Sequence, residues 1–238
     1  MRICSICGSE TFDIIGNLPS HRCTGCGSFE RTRYLWSFLT SAQRLNPGLR
    51  MLHVAPEKAL SLKIREIVGD SYTPADYDPS RYAIEGLTVE KIDLTRMNEI
   101  EGASFDLILH LHVLEHIPMD LGQLLVEHIR VLKPGGRFIF ALPIGPGITY
   151  ENIWPDATPA ERKERFGQHD HVRLVGKLDF PRFLKRVAGA FTGQEDFRIN
   201  PDDYMSRQDL DRAGLAYARV MGYTGDTLFE IVKPGRSN

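Results

Sequence analysis

The sequence of 238 residues has little cysteine, little net charge and no long apolar run. A formal charge of −2 provides no overall positive field to hold nucleic acid or an anionic membrane. The longest apolar stretch, residues 107–114, contains two histidines and falls far short of the ~20 residues that a membrane-spanning helix needs. The amino terminus lacks the basic-then-apolar order of a signal peptide. We therefore predict a cytoplasmic protein without a membrane partner, with its cysteines as thiols.

The four cysteines form two closely spaced pairs, Cys4 with Cys7 and Cys23 with Cys26. Two residues separate the members of each pair, which is typical of a tetrahedral zinc site with four sulfur ligands. A glycine follows each pair and permits a turn with positive φ. Because sulfur would fill all four positions, the predicted zinc is structural. Two pairs of buried or redox-active thiols are the alternative.

The chain divides into three predicted segments. Residues 1–30 are a zinc ribbon, residues 31–47 are a linking helix, and residues 48–238 form the main domain. The helix is indicated by apolar residues at helical spacing, and Asn-Pro-Gly at 46–48 ends it. With 42% apolar residues, the chain is large enough to bury a sizeable core.

The main domain alternates short apolar runs with amphipathic stretches. The strand candidates are residues 50–54, 72–77, 89–94, 105–113, 137–144, 197–200 and 228–232. Helices are predicted to begin near Pro56 and to cover 121–132, whereas none is evident between the second and third strands. This order predicts an α/β fold with a doubly wound, mostly parallel sheet that binds ligands at the carboxyl ends of its strands.

Two phrases, SFDLILHLHVLEHIP and VLKPGGRFIFALP, follow each other with one helix between them. They resemble class I S-adenosylmethionine (SAM) dependent methyltransferases of the small seven-strand type, over about residues 48–145. The cysteine-rich start and the phrase FGQHDHVRLVG further resemble a bacterial subgroup in which a zinc ribbon precedes the methyltransferase domain. The resemblance implies a Rossmann-like methyltransferase sheet, SAM as cofactor and a structural Zn²⁺.

The resemblance places the methionine part of SAM against the first loop of the domain. The implied residues there are His53, Ala55, Pro56 and Glu57. This loop lacks the usual glycines, but SAM has no phosphate and so needs them less than a dinucleotide does. Glu57 either accepts from the cofactor's ammonium group or only complements the helix dipole. A pocket that has lost cofactor binding is a further alternative.

Two aspartates are implied contacts of the nucleoside part. Asp76 matches the family's acidic residue that holds both ribose hydroxyls, and Asp78 is its competitor. Asp93 is expected near the adenine amino group, between Ile92 and Leu94. The ordinary alternative for Asp93 is that it caps its own loop.

The end of the fourth strand carries His110 and His112, which are expected to border the methionine part. His112, Glu115 and His116 also match the H-x-x-E-H pattern of one zinc-peptidase class. That chemistry needs both histidines on a sustained helix, whereas here a strand-like run enters the motif and a proline follows it. We therefore expect Glu115 and His116 to order the loop or to touch substrate.

Residues 145–176 are predicted to cover the site as a lid that binds the acceptor. The expected substrate contacts are Tyr150, Asp170, Arg173 and His116. A hydroxyl or amine acceptor has to lose a proton, and His169 or His171 is the candidate base. The alternative is a hydrogen-bonded cluster that orders the loop; for a metal site, this pair shows no third ligand in the sequence.

These features predict a methyltransferase for a small-molecule or carbohydrate-like acceptor. One alternative is a ribosomal or transfer RNA methyltransferase whose ribbon grips RNA, which the charge of −2 and the lack of an aromatic-basic patch disfavour. Another is a non-catalytic binding protein on the same fold, suggested by the altered first loop.

Overall fold

The computed structural model describes residues 2–15, 18–200, 203, 204, 206, 208 and 227–235. The α-helices in this part of the chain are α1 (Glu30–Ser41), α2 (Lys58–Val68), α3 (Leu121–Val131), α4 (Pro159–Phe166) and α5 (Phe180–Thr192). The strands are β1 (Phe12–Ile15), β2 (Leu18–Cys23), β3 (Met51–Val54), β4 (Tyr72–Asp76), β5 (Glu90–Lys91), β6 (Phe105–Leu111), β7 (Leu132–Ala141), β8 (Ile144–Gly145), β9 (Tyr150–Glu151), β10 (Arg173–Gly176) and β11 (Phe229–Val232). Within these described ranges, no helix has both the length and the apolar character needed to cross a membrane.

The central sheet has six strands in the order β11-β7-β6-β3-β4-β5. Every neighbouring pair is parallel except β11 with β7. The predicted α/β fold with a mostly parallel sheet is therefore confirmed. Two smaller sheets are separate from it, the hairpin β1-β2 and the three strands β8-β10-β9.

Helices cover both faces of the sheet, and the strands bury a side chain on each face in turn. Leu52 of β3 packs in the same cluster as helices α3 and α5, whereas Met51 beside it packs in the cluster that contains α1 and α2. The helix predicted over residues 31–47 is α1, and it puts Tyr34, Leu35 and Phe38 into this second cluster. The helix thus contributes to the core of the sheet as well as following the cysteine pairs.

Of three local expectations, one agrees with the structure and two do not. Between β4 and β5 the described chain forms a single 3-10 turn, Pro79–Arg81, and no α-helix, in line with the absence of a helical pattern there. Strand β7 begins at Leu132, earlier than predicted, because the Lys-Pro-Gly-Gly run, with a positive φ at Gly135, belongs to the strand. Residues 197–200 make an isolated bridge, Arg198 to Phe229, instead of a strand.

Three histidines are completely buried in the sheet region, His53, His110 and His128. The His53 Nδ1 lies 2.8 Å from the Tyr72 hydroxyl. Nδ1 of His128 donates to the Leu124 carbonyl at 2.6 Å, so its Nε2 accepts from Nε2 of His110 at 3.2 Å. Burial lowers the pKa of His53 to about 3 and that of His128 to about 4, and it also lowers the pKa of His110. His53 and His110 are therefore neutral core residues and not the cofactor contacts expected from the sequence.

These histidines predict a loss of stability in acid. The unfolded chain takes up protons near pH 6.5 while the folded chain does not, so the free energy of unfolding should fall as the pH drops from 6.5 towards 4. For a histidine whose pKa in the folded chain is about 4, the free energy of unfolding is lower by roughly 1–2 kcal/mol at pH 5 than at neutral pH. Urea denaturation at pH 7.5 and pH 5 measures the effect. His128→Gln should reduce the pH dependence, and the exposed control His169→Gln should not; equal stability at both pH values in the unmodified protein would contradict the assignment.

Candidate functional site

A cavity of about 600 Å³ opens at the carboxyl ends of β3, β4 and β6. Its walls are the segments that follow these strands and β5, together with Asp170 from the segment 145–176. The volume is typical of sites for small molecules. Its position is the one expected for a ligand in a parallel α/β sheet.

Two turns at the strand ends shape this cavity. Ala55 follows β3 with a φ of +53°, and His112 follows β6 with a φ of +54°. A backbone hydrogen bond fixes each turn, from Ala55 N to the Ala75 carbonyl and from His112 N to the Ala141 carbonyl, both at 2.9 Å. Side chains other than glycine adopt this conformation at a cost of about 1 kcal/mol or more. The small side chain of Ala55 thus meets in the first loop a conformational need that glycine usually meets.

Asp76 stands at the end of β4 and is 7% exposed to solvent. Its Oδ1 accepts from the backbone N–H of Asp78 at 2.8 Å, and its Oδ2 accepts from the Tyr82 hydroxyl at 2.7 Å. Burial and the carboxylate together raise the pKa of Tyr82, which keeps the phenol as a donor. Each carboxylate oxygen retains a lone pair, so Asp76 can accept two more hydrogen bonds inside the cavity.

Asp93 caps the 3-10 helix Leu94–Glu99 and also lines the cavity. Its Oδ1 accepts from the N–H of Thr95 at 2.8 Å and from the Thr95 hydroxyl at 2.7 Å. These hydrogen bonds are those expected if Asp93 caps its own loop, which was the alternative to cofactor binding. The neighbouring Ile92 and Leu94 give this end of the cavity an apolar wall.

Glu57, from the first loop, is a buried carboxylate with one unsatisfied oxygen. Its Oε1 accepts from the Thr32 hydroxyl of α1 at 3.0 Å, while Oε2 has no hydrogen-bond partner among the described residues. It makes no side-chain cap on α2. Burial raises the pKa of Glu57, and the hydrogen bond from Thr32 and the nearby Arg31 oppose that shift. Neither Glu57 nor the buried Pro56 belongs to the cavity lining.

Four residues are grouped around the opposite end of the cavity, Glu115, His116, Asp170 and His171, here called the His-Glu cluster. His116 Nδ1 lies 3.2 Å from Asp170 Oδ2, and these two residues line the cavity. The rings of His116 and His171 meet edge to face, with centroids 4.7 Å apart. The segment 145–176 thus reaches the cavity through Asp170, next to the loop that follows β6.

The motif His112, Glu115, His116 does not have the helical geometry of a peptidase. His112 lies directly after β6, and Glu115 and His116 occupy the single 3-10 turn Leu114–His116. The two histidines therefore lie on different local structures. Glu115 Oε1 instead contacts His112 Nδ1 at 3.3 Å, which supports the expectation that Glu115 orders this loop.

Of the expected acceptor residues on the segment 145–176, only Asp170 lines the cavity, and Tyr150 and His169 also lie outside the His-Glu cluster. Tyr150 is exposed and stacks on Phe166, with ring centroids 5.6 Å apart. His169 is exposed to solvent and belongs to no part of the His-Glu cluster. Their sequence neighbours Asp170 and His171 are the residues that the fold brings to the cluster, and we assign no role in the site to His169.

The four cysteines converge on one point at the amino-terminal hairpin. Sγ of Cys4 is 3.7 Å from Sγ of Cys26, and Sγ of Cys7 is 3.5 Å from Sγ of Cys23. A tetrahedral zinc with Zn–S bonds of about 2.3 Å needs sulfur separations of about 3.8 Å. The two turns repeat one geometry, with a hydrogen bond of 2.8 Å from the following glycine to the carbonyl of the first cysteine and positive φ at Gly8 and Gly27. The sulfur positions fit the predicted zinc site.

A model of the family described as "Methyltransferase domain" matches residues 23–140, about half of the chain. The matched segment contains β3, β4 and β6, whose carboxyl ends border the cavity, together with β5 and most of β7. The chain belongs to the SAM-dependent methyltransferase family.

One curated relative and two solved structures are similar to the chain. A ubiquinone biosynthesis O-methyltransferase of Nitrosococcus oceani is 26% identical over 137 residues, which span 56% of the chain and 58% of that relative. A SAM-dependent methyltransferase of Mesorhizobium loti has 16% identity and a TM-score of 0.51, over 84% of this chain and 98% of that one. The (4+2)-cyclase SpnF has the same identity and TM-score, over 90% of this chain and 85% of that one. These structures share the methyltransferase fold.

In this methyltransferase fold Arg173 is a buried structural residue. The expectation that it contacts substrate is therefore wrong. The side chain of Arg173 is 0% exposed. Its Nε donates to Glu151 Oε2 at 3.0 Å. Its other nitrogens donate to the carbonyls of Leu114, Ile117 and Met119. Arg173 thus holds the loop after β6, which carries His116, against β10.

We expect Arg173→Met to lower the free energy of unfolding by about 3 kcal/mol, because three carbonyls and one carboxylate lose a buried charged donor. Urea denaturation measures the loss. The matched control is Arg182→Met, an exposed arginine that donates to the Leu178 carbonyl, and it should change stability by less than about 0.5 kcal/mol. Unchanged stability together with a raised KM for the acceptor would restore the substrate-binding interpretation.

Proposed function

We propose that the chain transfers a methyl group from SAM to a hydroxyl or amine of a small-molecule acceptor. The observation that carries the proposal is the buried carboxylate of Asp76, which keeps acceptor capacity inside a cavity at the sheet edge. The name of the Nitrosococcus relative, an O-methyltransferase, supports transfer to oxygen. The cavity volume of about 600 Å³ suits a cofactor together with part of a small acceptor.

The residues of the cavity fit SAM in polarity as well as in position. Asp76 would accept from the two ribose hydroxyls, and Ile92 and Leu94 would flank the adenine base next to Asp93. Outside the cavity lining but in the same first loop, the unpartnered Oε2 of Glu57 is the proposed acceptor for the ammonium group. When bound, SAM supplies an activated methyl group on a sulfonium ion.

The chain's own contribution to the reaction is alignment and the handling of one proton. Methyl transfer is a displacement in line with the breaking bond, so holding the acceptor in a desolvated position supplies much of the catalysis. The acceptor oxygen or nitrogen would lie at the cavity end formed by His116 and Asp170. There the His-Glu cluster provides the groups that take up or displace its proton as the new bond forms. The segment 145–176 serves as the lid on this side.

We further propose that the four cysteines hold a structural zinc. A reducing cytoplasm would keep them available as thiolates. The Arg33 side chain of α1 donates to the Ser28 carbonyl at 2.7 Å and so ties the ribbon to the helix. The ribbon of residues 1–30 is then a small domain stabilised by zinc. The helix in 31–47 joins it to a methyltransferase domain of 48–238. An RNA substrate is disfavoured by the net charge of −2.

Replacing Asp76 with alanine should weaken SAM binding by at least about 10-fold, because the ribose hydroxyls lose a charged double acceptor. Calorimetric titration with SAM measures the change. The matched control is Asp78→Ala, since the Asp78 side chain only accepts from Ser80 and its backbone N–H still serves Asp76. Equal affinities of the two variants would remove Asp76 from the site, and no SAM binding by the unmodified protein would favour the non-catalytic alternative.

Replacing His171 with alanine should lower turnover by at least about 10-fold and leave SAM affinity unchanged, because the His-Glu cluster acts on the acceptor and not on the cofactor. The turnover rate is measured as the transfer of an isotope-labelled methyl group from SAM to candidate hydroxyl and amine acceptors. His169→Ala is the control, because His169 is exposed and lies outside the cluster. A lower melting temperature with unchanged turnover in His171→Ala would show that the residue only orders the loop.

A further inference from the structure

Three groups that can ligate a metal meet at the acceptor end of the cavity. Glu115, His116 and His171 each bring a ligand atom within 4.8 Å of the other two. Glu115 is 2% exposed and His171 is 3% exposed, so two of the three groups are almost fully withdrawn from water. Because His116 lines the cavity, an acceptor molecule in the cavity could contact a metal ion bound here.

Two buried atoms of this group have no hydrogen-bond partner within the described part of the chain, Glu115 Oε2 and His171 Nδ1. Nδ1 is the buried, unpartnered nitrogen of the His171 ring, and it is an acceptor when the neutral ring carries its proton on Nε2. A carboxylate oxygen and an unprotonated ring nitrogen are both acceptors, so they cannot satisfy each other. A buried acceptor without a donor costs about 1–3 kcal/mol. A cation placed between them would remove both penalties.

The neighbours of these side chains are those that metal ligands usually have. Asp170 Oδ2 lies 3.2 Å from His116 Nδ1, a carboxylate contact that orients a ligating ring through its other nitrogen. The backbone N–H of Val172 donates to the Glu115 carbonyl at 2.8 Å and joins the two chain segments. The buried guanidinium of Arg173 then fixes the carbonyl of Leu114 on the same turn. The three ligands are therefore held before any ion arrives.

We propose that Glu115, His116 and His171 form a site for a divalent transition-metal ion, distinct from the four cysteines. Two imidazoles and one carboxylate suit ions such as Zn²⁺, Mn²⁺, Fe²⁺ or Co²⁺ and leave coordination positions open. The sequence left a question here, because the His-x-His pair showed no third ligand. In the structure His171 is joined by two ligands from the loop after β6, Glu115 and His116, and His169 is not a ligand.

The position of the site deepens the proposed function and rests on it for its role in the reaction. An acceptor hydroxyl that binds an open metal position has a lowered pKa and loses its proton to solvent. The oxygen then forms the bond to the methyl carbon as the bond from that carbon to the sulfonium sulfur breaks. Acceptors with two neighbouring oxygens, such as vicinal hydroxyls, would be preferred because they can occupy two open positions.

Metal counting tests the site without any methyl transfer. The full chain is purified, its zinc is measured, and CoCl₂ is added before gel filtration and elemental analysis. We expect one zinc on the cysteines and one cobalt on nitrogen and oxygen ligands, whose spectrum lacks the sulfur-to-metal charge-transfer band of a thiolate site. Uptake of cobalt only with that sulfur band, or no uptake, would overturn the proposal.

Variants locate the second ion. His171→Ala and Glu115→Gln should each weaken cobalt binding by at least about 10-fold while the zinc remains, and His169→Ala should keep both metals. Circular dichroism and melting temperature check that the variants fold, and Glu115→Asp, which keeps a carboxylate, should recover part of the affinity. Cobalt binding that is the same in all variants would exclude these ligands.

Calorimetry with SAM separates this inference from the proposed function. Lost cobalt binding with retained SAM binding in His171→Ala supports the metal site on the acceptor side. SAM binding without cobalt uptake in the unmodified chain overturns the metal site alone. Cobalt uptake without SAM binding overturns the proposed methyl transfer and leaves the metal site standing.

Discussion

The site depends on one constraint of a parallel sheet that helices cover on both faces. Such a sheet buries its strands completely, so a ligand can reach polar groups only where the strands end. At the ends of β3 and β6 the chain leaves the sheet through positive φ angles at Ala55 and His112. These turns separate the first loop from the loop after β6. Asp76, at the end of the neighbouring β4, then faces the space between them.

A second constraint fixes segment 145–176 relative to this sheet. Segment 145–176 forms its own three-stranded sheet, and Arg173 connects it to the carbonyls of the loop after β6. A buried guanidinium with that many fixed acceptors has little freedom to move. The acceptor end therefore has a rigid base at Arg173, while exposed residues such as Tyr150 and Trp154 lie on the same segment. The proposed closing of segment 145–176 over the cavity would have to take place in these exposed parts.

The sequence predicted those features that follow from spacing along the chain. The cysteine pairs, the alternation of strands and helices, and Asp76 at a strand end are local patterns, and the structure places them as expected. The positions of the histidines were harder to predict, because a strand residue faces one side of the sheet or the other according to its register. His53 and His110 therefore lie in the core, while His112 reaches the cavity. Arg173 was misjudged because its partners are backbone carbonyls about 55 residues earlier, which no side-chain pattern reveals.

The charges of the cavity decide between the kinds of ligand that this fold can bind. Its lining contains three carboxylates, Asp76, Asp93 and Asp170, against one arginine, Arg81. A pyrophosphate or an RNA backbone would bring negative charge against these groups and would need more basic residues than the one arginine of the lining. A cofactor that carries a sulfonium and an ammonium group gains from the same arrangement, and so does a divalent cation at the opposite end. The missing glycines of the first loop are consistent with this polarity, since no phosphate has to approach the backbone there.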